Sequence, residues 1–227
     1  DIICHVISFC YVVVSPYSII YLLFICQQIE GKMKNRDLLF IDVETTHLNP
    51  AIGEIIEIAI IRDDGVSSRR YVTKIRPENL HVADLRSLEI NGYNEKEWFD
   101  APRASEIAQD IGYFIQGGLF VGHNVHFDYE WIEEFLHQHK VPMRASYRKI
   151  DTMTLAHEHL PFLSSHSLKS IREFFDISTL GSHRAEKDVE DMRWIYYRLL
   201  RACPCSRLYW RIKHWYKTNR QIPRILK

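Results

Sequence analysis

Two carboxylates interrupt an apolar run near the start of the chain, and this run constrains the fold more than any other segment. It covers residues 38–46 and contains Asp42 and Glu44. A run rich in leucine, phenylalanine, isoleucine and valine predicts a buried strand, where an uncompensated carboxylate is costly. Because residues two apart in a strand point to the same face, we expect Asp42 and Glu44 to project side by side. Such a pair favours a divalent cation as the compensating charge.

The same Asp-x-Glu motif occurs twice more, at Asp128/Glu130 and at Asp188/Glu190. Both copies lie in segments with helical periodicity. A two-residue step along a helix turns about 200°, so the two side chains point to nearly opposite faces. The copy in the strand is therefore the one that predicts a paired site.

The rest of the central region alternates between strand and helix patterns. Two further strands are predicted at 54–61 and 70–75, joined by a turn at 63–65. Beyond them the pattern predicts short strands at 119–121 and 148–150, and helices at 104–116, 128–140, 152–158, 167–175 and 185–201. This order predicts an α/β fold in which helices flank a mixed sheet.

The net charge of zero conceals an uneven distribution along the 227 residues. Residues 192–227 hold ten Lys or Arg and no acid. We treat residues 202–227 as a basic, aromatic tail, whose composition favours contact with a polyanion such as nucleic acid or a lipid surface. A solvated helix, or apolar docking of Trp210, Ile212 and Trp215 onto the domain, is the alternative.

The N-terminal segment, residues 1–32, is almost uncharged and apolar between residues 2 and 26. The bases that follow it, Lys32, Lys34 and Arg36, are typical of a membrane span whose C-terminal side is cytoplasmic. Because Met33 stands just before the first strand, a non-native upstream extension is the alternative. The five cysteines lack the paired spacing of a zinc site and favour a reducing compartment, so the expected location is cytoplasmic.

Further polar residues fall where predicted elements end. Asp128 closes the segment 122–128, between a strand and a helix, and an Asp at this junction is commonly the N-cap residue. His183 precedes the last predicted helix, and Asp188 lies inside it. Taken alone, His183 is more often a surface histidine than a catalytic base.

Taken in order, these segments resemble the DEDDh family of 3′-to-5′ exonucleases. The resemblance rests on Asp42-x-Glu44, on Asp128 in a Gly-His-Asn-x-x-Phe-Asp setting, and on His183 five residues before Asp188. It covers about residues 37–200 and is strongest toward the proofreading subunits of bacterial DNA polymerases, the DnaQ-like epsilon subunit of DNA polymerase III, and their stand-alone relatives. One departure is His47, where the family usually has a glycine.

The resemblance implies a ribonuclease H-like exonuclease domain at 37–201 that binds two Mg²⁺ or Mn²⁺ ions. Asp42, Glu44, Asp128 and Asp188 would be the metal ligands. By the same resemblance, Asp42 would bridge both ions, Glu44 and Asp188 would share one, and Asp128 would complete the other through water. His183 would be the general base that activates the attacking water.

The resemblance also implies the substrate and its contacts. Thr45 and Thr46 would meet the terminal nucleotide, and His123 and Asn124 would line the site near the scissile phosphate. The substrate would be single-stranded or 3′-terminal nucleic acid, with DNA favoured, and the product a nucleoside 5′-monophosphate. Proofreading, repair or DNA end processing, with association to a DNA polymerase, would be the setting.

Two alternatives stay open at this point. The first is an RNA exonuclease of the oligoribonuclease or RNase T kind, because metal-bound phosphodiester chemistry does not itself read the 2′-hydroxyl. The second is a catalytically silent module that binds nucleic acid through the basic tail. The complete set of five signature residues argues against the second.

Overall fold

The computed structural model describes residues 36–200 together with Trp210, Arg211 and His214. The expectations for the N-terminal segment 1–32, and for most of the tail 202–227, lie outside these residues. Within the described part of the chain, no helix combines the length and apolar character needed to cross a membrane.

A mixed sheet forms the centre of the described region. Its strands are β1 (Leu38–Thr45), β2 (Ile55–Asp63), β3 (Ser68–Lys74), β4 (Leu119–Gly122) and β5 (Lys149–Asp151). They lie side by side in the order β3-β2-β1-β4-β5. The first three strands are antiparallel neighbours, whereas β4 and β5 run parallel to β1. The predicted mixed sheet is confirmed.

Seven α-helices accompany the sheet within residues 36–200. They are α1 (Leu85–Ile90), α2 (Glu95–Trp98), α3 (Ala104–Ile115), α4 (Val125–Gln138), α5 (Thr152–His159), α6 (Leu168–Phe175) and α7 (Ala185–Leu200). The five longer helices agree with the sequence pattern to within three residues at each end. The two short helices were not predicted, because four to six residues are too few to show a helical period.

Helices cover both faces of the sheet. On one face, Leu39, Ile41 and Val43 of β1 pack in a cluster with residues of α3 and α4. On the other, Leu38 and Phe40 pack with residues of α7. Since side chains alternate along a strand, Asp42 and Glu44 lie on the face that α7 covers. Ile41 and Val43 lie on the opposite face, and the predicted side-by-side placement of Asp42 and Glu44 on one face is confirmed.

A third apolar cluster joins α5, α6 and α7 to the tail. Trp210 is buried in this cluster, and its ring meets that of Phe175 edge-on at 5.5 Å between centroids. The ring of His214 lies 5.3 Å from that of Phe162. Trp210 therefore packs onto the domain, as the apolar-docking alternative for the tail predicts.

Candidate active site

The site is built around the C-terminal half of β1. Asp42 and Glu44 are partly buried there, whereas the alternate residues Ile41 and Val43 are fully buried. Within the described sheet, β4 pairs with β1 over Leu38–Phe40, so the later residues of β1 extend past their parallel neighbour. This leaves one edge of the strand open to groups from elsewhere in the fold.

Asp128 reaches that open edge from the first turn of α4. It is buried, and its Oδ1 accepts a hydrogen bond from the main-chain N–H of Val43 at 3.1 Å. The N-cap interpretation of Asp128 is wrong, because α4 begins three residues earlier than predicted and its N-cap is Asn124. The side chain therefore turns toward the sheet instead of closing its own helix.

The last two signature residues come from the start of α7. Asp188 is buried in the first turn of that helix. His183 is exposed and lies two residues before the first residue of the helix, Ala185. One ligand atom from each of Glu44, His183 and Asp188 can be chosen so that all three lie within 4.8 Å of one another. His183 is therefore as exposed as a surface histidine, but its ring lies beside the carboxylates of Glu44 and Asp188.

Burial and mutual repulsion shape the protonation of these acids. The pKa of Asp42 is raised well above its ordinary value, first by burial and then by the nearby charges of Asp128, Glu44 and Asp188. The positive charge of Arg172 opposes this shift. Three carboxylates therefore act on the one at the centre of the site.

Two of the other acids are shifted in the same direction. Burial, followed by the charges of Asp188 and Glu57, raises the pKa of Glu44 to about 8. Burial also raises the pKa of Asp128 to about 8, although the hydrogen bond from Val43 favours the ionised form. Ionising this group of acids together at neutral pH requires a compensating positive charge.

The residues fit a divalent cation as that compensating charge. Carboxylate oxygens are the ligands that hard cations prefer, and an imidazole nitrogen stands beside them. Two observations support this conclusion. Ligand atoms of Glu44, His183 and Asp188 lie close together, and burial raises the pKa values of Asp42 and Glu44. Asp42, Glu44, Asp128 and Asp188 are the residues that could hold the cation.

Glu57 is a site residue that the sequence analysis missed. It is buried on β2, directly across from Glu44 in the strand register. Its Oε2 accepts a hydrogen bond from Arg184 Nε at 3.1 Å, and burial raises its pKa while Arg184 opposes the shift. The signal was available, because Glu57 is a charged residue inside an apolar strand, as Asp42 is.

Arg172 is a second missed residue. It is buried on α6, where its guanidinium donates to Asp188 Oδ1 at 2.8 Å and to Asp191 Oδ2 at 2.7 Å. An arginine in a short amphipathic helix usually lies on the solvated face. Nothing in the neighbouring sequence distinguished Arg172 from an arginine exposed to solvent.

The two threonines after Glu44 are buried, and they shape the loop between β1 and β2. The hydroxyl of Thr45 donates to the carbonyl of His47 at 2.8 Å. The hydroxyl of Thr46 accepts from the N–H of Glu54 at 2.8 Å. These bonds hold the loop that follows the carboxylates, and contact of Thr45 and Thr46 with a nucleotide stays a prediction.

His47 is accommodated without the glycine expected at its position. Its backbone φ is negative, so the left-handed geometry that favours glycine is not needed there. Space for its side chain comes from Gly53, where an added Cβ would lie 2.6 Å from His47 Cβ and 3.0 Å from Trp131 Cη2. The imidazole Nδ1 of His47 accepts from the N–H of Asn49 at 2.9 Å.

His123 and Asn124 lie at the turn between β4 and α4. The Nδ1 of His123 is 3.0 Å from Thr152 Oγ1, whose hydroxyl donates to the Gly122 carbonyl. Burial lowers the pKa of His123, with Asp151 opposing the shift. The N–H of Asn124 donates to Asp151 Oδ1 at 3.0 Å. Their contact with a phosphate stays a prediction.

Comparison with known proteins adds a family to this geometry. A family model described as Exonuclease matches residues 39–193, which include all five signature residues. The DNA polymerase III subunit epsilon of Treponema pallidum is 32% identical over 152 residues, covering 65% of this chain and 68% of that protein. The PolC-type DNA polymerase III of Thermotoga petrophila is 28% identical over 174 residues, covering 75% of this chain.

A solved structure supports the fold. The zinc-bound complex of E. coli exonuclease I with single-stranded DNA superimposes with a TM-score of 0.63 at 21% identity, covering 73% of this chain and 40% of that chain. Several of the matched proteins are much longer. This chain spans 11–12% of the PolC-type relatives and less than half of exonuclease I.

Proposed function

Because the chain belongs to this exonuclease family, we propose that it is a divalent-metal-dependent 3′-to-5′ exonuclease that releases nucleoside 5′-monophosphates from the 3′ end of DNA. The observation that carries the proposal is the convergence of Glu44, His183 and Asp188, whose ligand atoms lie within 4.8 Å of one another. These residues come from β1, the loop before α7 and α7 itself, so only the folded chain assembles them.

Four carboxylates hold the cations in this proposal. Asp42, Glu44, Asp128 and Asp188 bind two Mg²⁺ or Mn²⁺ ions. When bound, such a pair of ions stabilises the attacking and leaving oxygens of an in-line phosphoryl displacement. The raised pKa values of Asp42, Glu44 and Asp128 support this role, because these acids release their protons more readily beside a cation than alone.

His183 accepts the proton of the attacking water at an imidazole nitrogen. Histidine suits this task near neutral pH, because it changes charge in that range more readily than other side chains. The exposed position of His183 supports the role, since the ring can pass the proton to solvent after each turnover. Glu44 and Asp188 stand beside the ring, so the base lies next to two of the carboxylates that hold the cations.

The substrate is DNA in this proposal, presented as a single-stranded 3′ end. Two arguments support DNA: the epsilon and PolC-type relatives carry the name DNA polymerase III, and the matched exonuclease I structure contains single-stranded DNA. Thr45, Thr46, His123 and Asn124 contact the terminal nucleotide and its phosphate. In this proposal the protein associates with a DNA polymerase and acts in proofreading or repair, and the names of the same relatives support this setting.

The test uses 5′-labelled single-stranded DNA and an RNA of the same sequence, each incubated with Mg²⁺. We expect a ladder of labelled products that shortens one nucleotide at a time, and faster shortening of DNA than of RNA. Immediate release of the label as a mononucleotide would mean attack from the 5′ end and would contradict the proposal. Faster shortening of RNA would favour the RNA exonuclease alternative, and retained binding without shortening would favour the silent module.

A further inference from the structure

The contacts of Arg172 extend beyond the metal ligands. We propose that Arg172 is a positioning residue that joins the carboxylate of Asp188 to the loop bearing His183, so that one side chain orients both a ligand of the cation site and the loop that carries the general base. The inference rests on the proposed function, since it assigns roles within that site.

The guanidinium of Arg172 contacts three side chains at once. Its three nitrogens donate in three directions: Nη2 to Asp188 Oδ1 at 2.8 Å, Nε to Asp191 Oδ2 at 2.7 Å, and Nη1 to Ser182 Oγ at 3.2 Å. The side chain is only 2% exposed, so water does not compete for these bonds. An arginine fork holds its partners in a fixed relative orientation, which a flexible lysine does not.

The acids that Arg172 contacts are paired with two cations. Asp191 has another cation, Lys187, one helical turn before it on α7. Arg172 and Lys187 are therefore two cations paired with two acids, Asp188 and Asp191. Arg172 engages Oδ1 of Asp188, so the guanidinium does not occupy the other oxygen, Oδ2.

His183 has an unusual backbone conformation. Its φ is 63°, in the left-handed region that residues other than glycine rarely adopt. The residue before it, Ser182, is fixed by the bond from Arg172 and by its own donation to the Thr179 carbonyl at 2.7 Å. The residue after it, Arg184, is fixed by Glu57. His183 is therefore held in place from both sides.

A different role for Arg172 makes the opposite prediction. If the arginine only neutralised the crowded acids, it would compete with a cation for Asp188, and its loss would tighten cation binding. If it positions Asp188, its loss weakens cation binding, because the carboxylate is no longer held in the orientation that the site requires. Changing residues that orient metal ligands typically costs about 10- to 100-fold in metal affinity or activity.

The first experiment measures Mn²⁺ affinity by titration calorimetry on the full chain. Arg172→Lys keeps the positive charge and removes the planar guanidinium, and we expect the affinity for Mn²⁺ to fall about 10-fold or more. The matched control is Arg193→Lys, because Arg193 donates to buried Asp63 at 2.7 Å and lines a groove at the opposite end of β2. Unchanged or tighter Mn²⁺ binding by a folded Arg172→Lys protein would overturn the proposal.

The second experiment isolates the loop. Ser182→Ala removes the partner of Arg172 on a partly exposed loop, and we expect a several-fold loss in kcat with unchanged Mn²⁺ affinity. Ser178→Ala is the control, since that hydroxyl accepts from the N–H of Leu180 in the same loop. Equal kcat values for the two serine variants would overturn the proposal even if Arg172→Lys failed to fold. The affinity experiment needs no nuclease activity, so failure of the proposed function would be seen separately.

Discussion

The carboxylate of Asp128 accepts a hydrogen bond at 3.1 Å from the main-chain N–H of Val43, the residue between Asp42 and Glu44. This bond forms where β1 extends past β4 in the described sheet. Asp128 therefore satisfies a donor on the open edge of β1 and joins the group of acids at the same time. Its structural and chemical roles can be separated by substitution.

Asp128→Asn should keep the fold and abolish the activity, because its amide oxygen can still accept from Val43 while the carboxylate charge is lost. Asp128→Ala should be inactive and also less stable by about 1–3 kcal/mol, since a buried N–H is left without an acceptor. Urea unfolding with chelator present measures the difference between the variants. Equal stability of the two proteins would contradict the structural role of this hydrogen bond.

The raised pKa values predict how stability depends on pH without metal. For Glu44 and Asp128, the folded-state pKa of about 8 lies above the ordinary values of 4.5 and 3.8. The folded state therefore binds more protons than the unfolded state between these limits. Stability should fall as pH rises from about 5 to 8, by at most about 1.4 kcal/mol per pH unit for each such group.

Calorimetric unfolding across this pH window, with chelator and with Mn²⁺, tests the sign. We expect the thermal midpoint of the chelated protein to fall with rising pH, and the metal-bound protein to lose less stability. Glu44→Gln should reduce the slope, because it removes one of the titrating groups. A midpoint that rises with pH in the chelated protein would contradict the assignment.

Arg184→Gln should destabilise the protein through Glu57. It removes the side chain 3.1 Å from a buried carboxylate, whose charge then lacks its partner. We expect a loss of about 1–3 kcal/mol, below the range for fully buried pairs because Arg184 is 46% exposed. Arg103→Gln is the control, since its pair with Glu78 is 3.7 Å long and exposed on both sides. Equal losses for the two variants, by urea unfolding, would refute the distinction.

Gly53→Ala should destabilise the protein because the new Cβ would lie 2.6 Å from His47 Cβ. Overpacking of this kind typically costs about 1–3 kcal/mol. His47→Gly should restore part of the loss in the double variant, with Trp131 Cη2 still 3.0 Å from the added carbon. A double-mutant cycle by thermal unfolding measures this coupling. Strictly additive effects would show that the two positions are independent.

Local patterns were enough to predict the core of this fold. The alternation in β1 and the periodicity of the longer helices are set by neighbours in sequence, and the structure confirms both. The resemblance to 3′-to-5′ exonucleases is confirmed by the family match over residues 39–193.

The parts that the sequence did not predict depend on contacts between distant segments. Local sequence alone favoured an N-cap role for Asp128, because its hydrogen-bond partner, Val43, lies 85 residues away. Arg172 resembled a solvated arginine, because the acids that bury it lie 16 and 19 residues further along the chain. Glu57 satisfied the criterion applied to Asp42, a charged residue in an apolar strand, and could have been found.

The most direct measurement is nucleotide release from a 3′-labelled single-stranded DNA. It compares the wild-type protein in Mg²⁺, the same protein with chelator, and the variants Asp42→Ala and His183→Ala, with His137→Ala as an exposed-histidine control. We predict labelled mononucleotide from the wild-type protein and from His137→Ala in Mg²⁺, and none with chelator or with the other two variants. Release that persists with chelator or in Asp42→Ala, or no release from the folded wild-type protein in Mg²⁺, would contradict the account.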